Sequence, residues 1–260
     1  MADRTIAQIH AVELPTGLTA CYLYPMADLH DGDRALQRAK LKAYLDFIEK
    51  TPDTYILLLG DLCNTAIIDS VSDTYDEEYI VDKQKDTIVE TFWPVRSRIL
   101  AMTGGNHEHR ISRSVGVDIT KEIAGRLGVY YAPDEIYLKV SLGKSSRHAK
   151  RVAYGIYATH GTGGGRLMGG KANNLARLAE VCDADIYIAA HTHQIVAFPS
   201  LLYRMDLQNN IVVETKKLFV GTGGYLGRSR YAVRKTYPPQ KVGSPRIRLD
   251  GKRKDAHVSV

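Results

Sequence analysis

Short apolar runs alternate with longer amphipathic stretches through most of the chain. Runs of strand length fall at 21–27, 55–59, 98–103, 152–159 and 185–190, and each runs into a polar or glycine-containing stretch. Between them, apolar positions recur at helical spacing over about 33–50, 81–97, 117–127 and 171–181. This alternation predicts an α/β fold. After His193 the pattern is β-only: 195–207 and 211–220 flank Asn209-Asn210, a dipeptide that tolerates the left-handed backbone of a hairpin turn. Sheets of mixed direction follow. No repeat, low-complexity segment or linker interrupts the pattern before about Gly224, so the simplest division is one domain over 1–224 with a C-terminal extension, 225–260, packed on it.

Composition narrows the class. A chain of 260 residues with 44% hydrophobic and 25% charged residues can bury a substantial core, which excludes disordered, collagen-like and coiled-coil classes. Uninterrupted apolar runs such as 55–59 and 186–190 are far shorter than the roughly 20 residues that span a bilayer, so no membrane segment is expected. The charged first ten residues lack a leader's apolar core. Cys21, Cys63 and Cys182 are odd in number and widely separated, which fits a reduced, cytoplasmic chain better than a disulfide framework.

The formal net charge of +6 is unevenly placed. Residues 216–260 carry 12 Lys and Arg against Asp250 and Asp255, while the remainder is net acidic. Such a segment either recruits a polyanion through phosphate contacts or serves as a solvated, solubilising tail.

Metal-capable side chains sit where the strand-like runs end. Asp28 and His30 close the first, two residues apart, so on an extended backbone both leave on the same side. Asp61 follows the second run and Gly60, placing a carboxylate with two oxygens at that end. Gly105-Asn106-His107-Glu108 follows the third, with glycines that permit a sharp turn. His160 follows the fourth, and His191 and His193, again two apart, follow the fifth. Singly, each group reads as a turn, a cap or a core histidine. Together, they place five of the nine histidines and two aspartates at strand ends, where ligands of open α/β sheets collect.

In order and spacing, Asp28-Leu29-His30, Gly60-Asp61, Gly105-Asn106-His107-Glu108, His160-Gly161 and Ala190-His191-Thr192-His193 resemble the signature of calcineurin-like metallophosphoesterases, with Ala190 where the family usually has glycine. Gly60 to Asn64, Ser70 to Asp73 and Asn106 to Arg110 look most like phage- and prophage-encoded members, for which a cytoplasmic location is the host's cytoplasm. The resemblance implies two packed mixed sheets flanked by helices, in four α/β/β/α layers. It also implies a dinuclear site: Asp28, His30, Asp61 and His193 on one metal, and Asp61, Asn106, His160 and His191 on the other. Carboxylate and imidazole ligands suit manganese first, with iron, zinc, nickel or magnesium as alternatives, and no thiolate set argues for structural zinc. Two divalent ions outweigh the two aspartates and a bridging hydroxide, so the site stays net positive and attracts a phosphate ester. The implied reaction is in-line attack by that hydroxide, with His107 stabilising charge or protonating the leaving oxygen.

Protein phosphatases of this superfamily carry an Asp-Arg pair and a further arginine that clamp the phosphate. Here Asn64-Thr65 and Gly104 stand in those places, which disfavours a protein phosphatase. Asn64 is then expected to hold His107 through its amide oxygen, less strongly than a carboxylate would. The lost clamps and the basic C-terminus favour a phosphodiester substrate, DNA or RNA among them; a nucleotide or small-molecule phosphatase is the alternative, and a non-catalytic scaffold a remote one. Arg110 is read either as a substitute clamp or as a structural partner of Glu108. Gly161 to Gly170, with six glycines, is read as a loop that admits substrate or one that needs positive φ. The acidic 69–86 stretch is read as a solvated face or a cap over the cleft. His10, His148 and His257 are expected at the surface, and the 16 tyrosines are a possible source of stacking platforms.

Overall fold

The structure is a computed structural model that describes residues 5–67, 70, 77–147, 149–163, 167–228, 232–233 and 236–260. Two six-stranded sheets lie face to face. The first contains β1 (His10–Glu13), β6 (Glu135–Leu142), β7 (Val152–Thr159), β8 (Ile186–Ala189), β9 (Val196–Asp206) and β10 (Ile211–Gly221), in the order β1-β6-β7-β8-β10-β9. The second contains β2 (Ala20–Met26), β3 (Thr54–Leu59), β4 (Ile99–Thr103), β5 (Tyr131–Ala132), β11 (Arg246–Asp250) and β12 (Ala256–Ser259), in the order β12-β11-β2-β3-β4-β5. Both sheets are mixed: β2, β3, β4 and β5 run parallel, with β11 antiparallel to β2 and β12 antiparallel to β11, and β7, β8 and β10 run parallel with β9 antiparallel to β10.

The apolar runs are continuous because both faces of these strands are covered. Along β3, Leu57 and Leu59 face the other sheet, where they meet Ile136, Leu138, Ile156, Ile188 and Val220. Ile56 and Leu58 face outward onto helices α1 (Arg38–Lys50), α2 (Val81–Phe92) and α4 (Ile119–Leu127), among Leu45, Ile48, Ile88, Phe92 and Ile123. On the far side, Tyr157, Tyr187 and Phe219 pack on Leu175 of α5 (Met168–Ala176). The result is four layers, α/β/β/α, with the deepest core between the sheets.

Several elements depart from the sequence reading. The first helix begins at Arg38, not near 33, because Asp33 closes a local turn by accepting the Ala35 N–H at 2.8 Å. The second ends at Phe92, and Pro94 opens a 3₁₀ turn over Trp93–Arg98. Helix α3 (Asn106–Val115) is unforeseen, since Ile111 and Val115 are its only apolar residues and Glu108 is its one buried residue. Gly169 and Gly170 lie in α5, not in the loop before it. The C-terminal stretch adds two strands to the second sheet, β11 lying between β2 and the outermost β12. No described helix is long and apolar enough to cross a membrane.

Candidate metal centre

Parallel strands deliver their C-terminal ends to one place, and the ionisable residues begin where pairing stops. β2 ends at Met26 and β8 at Ala189, so neither Asp28 and His30 nor His191 and His193 converge by the alternation of an extended strand. Instead Asp28, His30, Asp61, His191 and His193 all adopt left-handed backbone, at φ of 53°, 50°, 50°, 65° and 53°. Non-glycine residues held there cost of order 1–3 kcal/mol each and persist when their surroundings fix them. The lacing is visible: Asp61 O accepts the N–H of Leu29 at 2.8 Å and of His30 at 2.9 Å, Asp31 N donates to Leu62 O at 2.8 Å, and Tyr225 N donates to Asp28 O at 2.9 Å.

Three groups of side chains result, each with its ligand atoms mutually within 4.8 Å: Asp28, His30 and His193; His30, Asp61 and His107; and Asp61, His160 and His191. In the first, His193 Nε2 is 3.5 Å from Asp28 Oδ1 and 3.3 Å from His30 Nε2. In the last, His160 Nε2 is 3.3 Å from Asp61 Oδ2 and 3.0 Å from Asn106 Oδ1, while His191 Nδ1 is 2.7 Å from Asn106 Oδ1. Asp61 Oδ2 also lies 3.8 Å from His30 Nε2 and 3.9 Å from His107 Nε2. Asp61 thus stands between the groups, and Asn106 joins His160 and His191.

Glu108 holds this arrangement together. One carboxylate oxygen accepts the N–H groups of Asp61 (2.9 Å) and Gly105 (3.0 Å), the other those of Leu62 (2.6 Å) and Cys63 (2.9 Å). It therefore ties the β3 loop to the start of α3. The two loops touch so closely that a Cβ at Gly105 would collide with Asp61. His107 N donates to Asp61 Oδ1 at 2.8 Å, aiming that carboxylate.

The expectation for Asn64 is corrected. His107 Nδ1 lies 2.7 Å from the main-chain carbonyl of Asn64, whereas the Asn64 amide nitrogen donates to Glu77 Oε1 at 2.5 Å. A main-chain oxygen therefore orients the imidazole and leaves Nε2 toward Asp61. His160 is oriented the same way, with Nδ1 2.7 Å from Leu59 O and Nε2 turned into the site.

The residues fit divalent ions. Asp28 Oδ1 and His30 Nδ1 are buried without a hydrogen-bond partner, and burial of this kind is costly unless something compensates the carboxylate. Burial raises the Asp28 pKa and lowers those of His30, His191 and His193, the last to about 4, so these imidazoles are in the neutral form that coordinates metal. At His160 burial opposes charge, but the neighbouring Asp61 carboxylate outweighs it and pushes the pKa up to about 10. None of the three groups contains a cysteine, and imidazole with carboxylate and amide oxygen suits manganese, iron, nickel or zinc.

The remaining residues divide. Arg110 is half-buried on α3, within electrostatic reach of Asp61, Glu108 and Glu77. Gly161 and Gly163 have φ of 81° and 112°, while Arg166 and its two preceding glycines lie outside the described residues. Lys171, unforeseen, is buried and donates to Thr192 O at 3.1 Å, between His191 and His193; no charge pattern in the sequence marks it. Gly224 is also close, since a Cβ there would lie 3.0 Å from His193 Nδ1. His10 stacks on Tyr130, His257 bonds to Asp255, and both are remote from these groups. His148 and most of 68–76 are outside the described residues; of the acidic 69–86 stretch, Glu77 accepts from the side-chain amides of Asn64 and Gln84.

Residues 26–195 match the calcineurin-like phosphoesterase family, and the chain belongs to it. No curated protein matches in sequence. Among solved structures, the chain is similar to Vps29 of Chaetomium thermophilum, with 16% identity, 92% of this chain and 96% of that one covered, and a TM-score of 0.43. A conserved protein of Streptococcus pneumoniae, described as a predicted phosphoesterase, is 13% identical over 93% of this chain and 90% of that one, with a TM-score of 0.36. The nuclease MPE of Pseudomonas putida is 12% identical over 91% and 87%, with a TM-score of 0.37.

Proposed function

We propose that the chain is a two-metal phosphodiesterase, with Asp28, His30, Asp61 and His193 holding one ion, Asp61, Asn106, His160 and His191 the other, and manganese the first choice of metal. The observation that carries the reading is the place of Asp61, whose single carboxylate faces His30 on one side and His160 on the other. Bound divalent ions supply a Lewis acid for the phosphoryl oxygens and an acidified water as nucleophile.

The chain's own residues do the rest. His107, fixed through Nδ1 by the Asn64 carbonyl, presents Nε2 to the site and serves as the acid for the leaving oxygen. Burial lowers its pKa, which makes its imidazolium readier to give up a proton. Arg110, on the same helix, is assigned to a phosphoryl oxygen in place of the clamps that Asn64 and Gly104 do not provide. Diester preference is supported by those missing clamps and by Arg228, which follows the site-wall residues Gly224 and Tyr225. Nucleic acid is the substrate class we favour, in a cytoplasmic setting.

The test is a panel of bis-p-nitrophenyl phosphate, mononucleotides, and single- and double-stranded DNA with manganese. Faster turnover of the diesters is expected. Preference for mononucleotides would make the chain a nucleotide phosphatase, and a protein that binds no metal by elemental analysis would leave only a scaffold.

A further inference from the structure

The hairpin of β9 and β10 pairs without a break from Val196 opposite Gly221 to Asp206 opposite Ile211, but β8 supports β10 only from Leu218 to Gly221. Its outer part therefore runs beyond β8, away from the metal centre, which β10 reaches through Gly221. β9 is the outermost strand of its sheet. At 11 residues it is a long edge, whereas the other outer strands, β1, β12 and β5, have four, four and two. Natural edges are usually blunted by charge or brevity. This one instead carries Leu201, Tyr203 and Met205 at 60%, 81% and 73% exposure, with Leu202 and Leu207 also exposed.

We propose that the chain forms a two-fold dimer in which the β9 edges of two copies pair antiparallel about Tyr203, joining two sheets into one. The backbone defines the register. Pro199 has no N–H yet sits opposite Leu218 in an unbroken ladder, which places it at a position facing away from β10. By alternation the backbone groups of Leu201, Tyr203 and Met205 face outward too. Pro199 bounds this open segment on one side and the turn after Asp206 on the other, and the middle of the segment is Tyr203. A two-fold axis there sets Tyr203 opposite Tyr203 of the second copy and Leu201 opposite its Met205.

These three side chains share one face of the strand, so the pairing gathers six large apolar side chains, three per copy, on one side of the joined sheet. On the other face, Leu202 meets the aliphatic stem of Arg204 from the second copy. A second copy is the occupant because the open segment is self-complementary under its own two-fold. The pairing rests on one short edge segment per copy, a small interface against the roughly 1,000 Å² of stable specific complexes, so weak self-association is expected. At about 3.3 Å per residue, Tyr203 lies more than about 20 Å along the strand from Val196, so both metal centres stay open.

Sedimentation equilibrium of the full chain from about 1 to 200 µM should show a monomer–dimer equilibrium, and Tyr203→Glu, which sets two carboxylates against each other, should abolish it while leaving catalytic turnover unchanged. As an independent arm in a Cys182→Ser background, Tyr203→Cys should form a disulfide dimer on mild oxidation, and Val212→Cys, one strand in from the edge, should not. A chain that remains monomeric throughout, a Tyr203→Glu dimer of unchanged strength, or Val212→Cys linking as readily as Tyr203→Cys would overturn the proposal.

Discussion

Asp61 carries three tasks in one side chain. Oδ1 is aimed by the His107 N–H, Oδ2 faces His30 and His160, and its left-handed backbone offers a carbonyl to Leu29 and His30. Asp61→Asn keeps an oxygen that can accept from His107 N and keeps the main-chain bonds, so the fold should survive. The charge shared between the two histidine groups is lost, so metal content should fall below two ions per chain and hydrolysis should disappear. A variant with near-normal turnover and full metal content would refute the bridging role. His107 is the contrast case, because its imidazole is held by the Asn64 carbonyl and is not assigned to either ion. His107→Ala should retain both metals and lose roughly 10²- to 10⁴-fold in rate. The loss should be smaller with a p-nitrophenolate leaving group, which needs little protonation, than with a nucleoside ester. Equal losses on both substrates would remove the acid role.

At the scale of elements, the site depends on two loops held at a fixed spacing, and Glu108 is the group that spans them. Its four N–H partners lie on the β3 loop and at the start of α3. Glu108→Gln replaces one accepting oxygen with an amide nitrogen that faces two donors, so two buried N–H groups lose their partner. A destabilisation of roughly 2–4 kcal/mol is expected in denaturant unfolding, together with weaker metal binding. Unchanged stability would show that the loops do not rely on this carboxylate. Glu108 also illustrates what the sequence leaves unreadable. The strand ends were legible because β3, β4 and β8 are short and buried on both faces, which writes them as apolar runs followed by polar residues. α3 was not, because its apolar residues are Ile111 and Val115 alone, too short a stripe to mark a helix, and the residue it buries is a glutamate. Nor was the support of His107, since a backbone carbonyl looks the same in every residue and the side chain of Asn64 offered the nearer, mistaken, explanation. β6 was legible at period two through Ile136, Leu138 and Val140 but went unassigned. The left-handed turns at Asp28 and His191 were not read, because aspartate and histidine enter that region more readily than most residues yet adopt it too seldom for residue type to mark the place.

Across the whole molecule, the basic C-terminal charge separates into two regions. Lys252 to Lys254 lie in the turn between β11 and β12, next to the start of β2 and so at the end of the sheet away from the metal centre. There Lys216 and Arg253 pair with Asp255, Lys254 with Asp185, and Arg248 with Asp250. Most of these cations are paired with their own acidic neighbours, and they lie at the wrong end of the sheet to guide a substrate. The segment after Tyr225 is different, because Tyr225 N binds Asp28 O at the site wall and Arg228 follows within one short turn of chain. Arg230, Arg234 and Lys235 continue it outside the described residues. If this segment contacts nucleic-acid phosphates, each contact releases counterions, and affinity for DNA should fall steeply between low and moderate salt. Turnover of a small diester should fall far less, since its one phosphate binds at the metals. Neutralising Arg228, Arg230 and Arg234 together should flatten the salt dependence on DNA and spare the small diester, while neutralising Lys252 and Lys254 should change neither. The same salt slope for wild type and the Arg228 variant would take nucleic acid out of the proposal and put a small phosphate ester in its place. A loss confined to the Lys252 variant would mean that DNA binds at the opposite end of the sheet, where this arrangement of charges gives it no route to the metal centre.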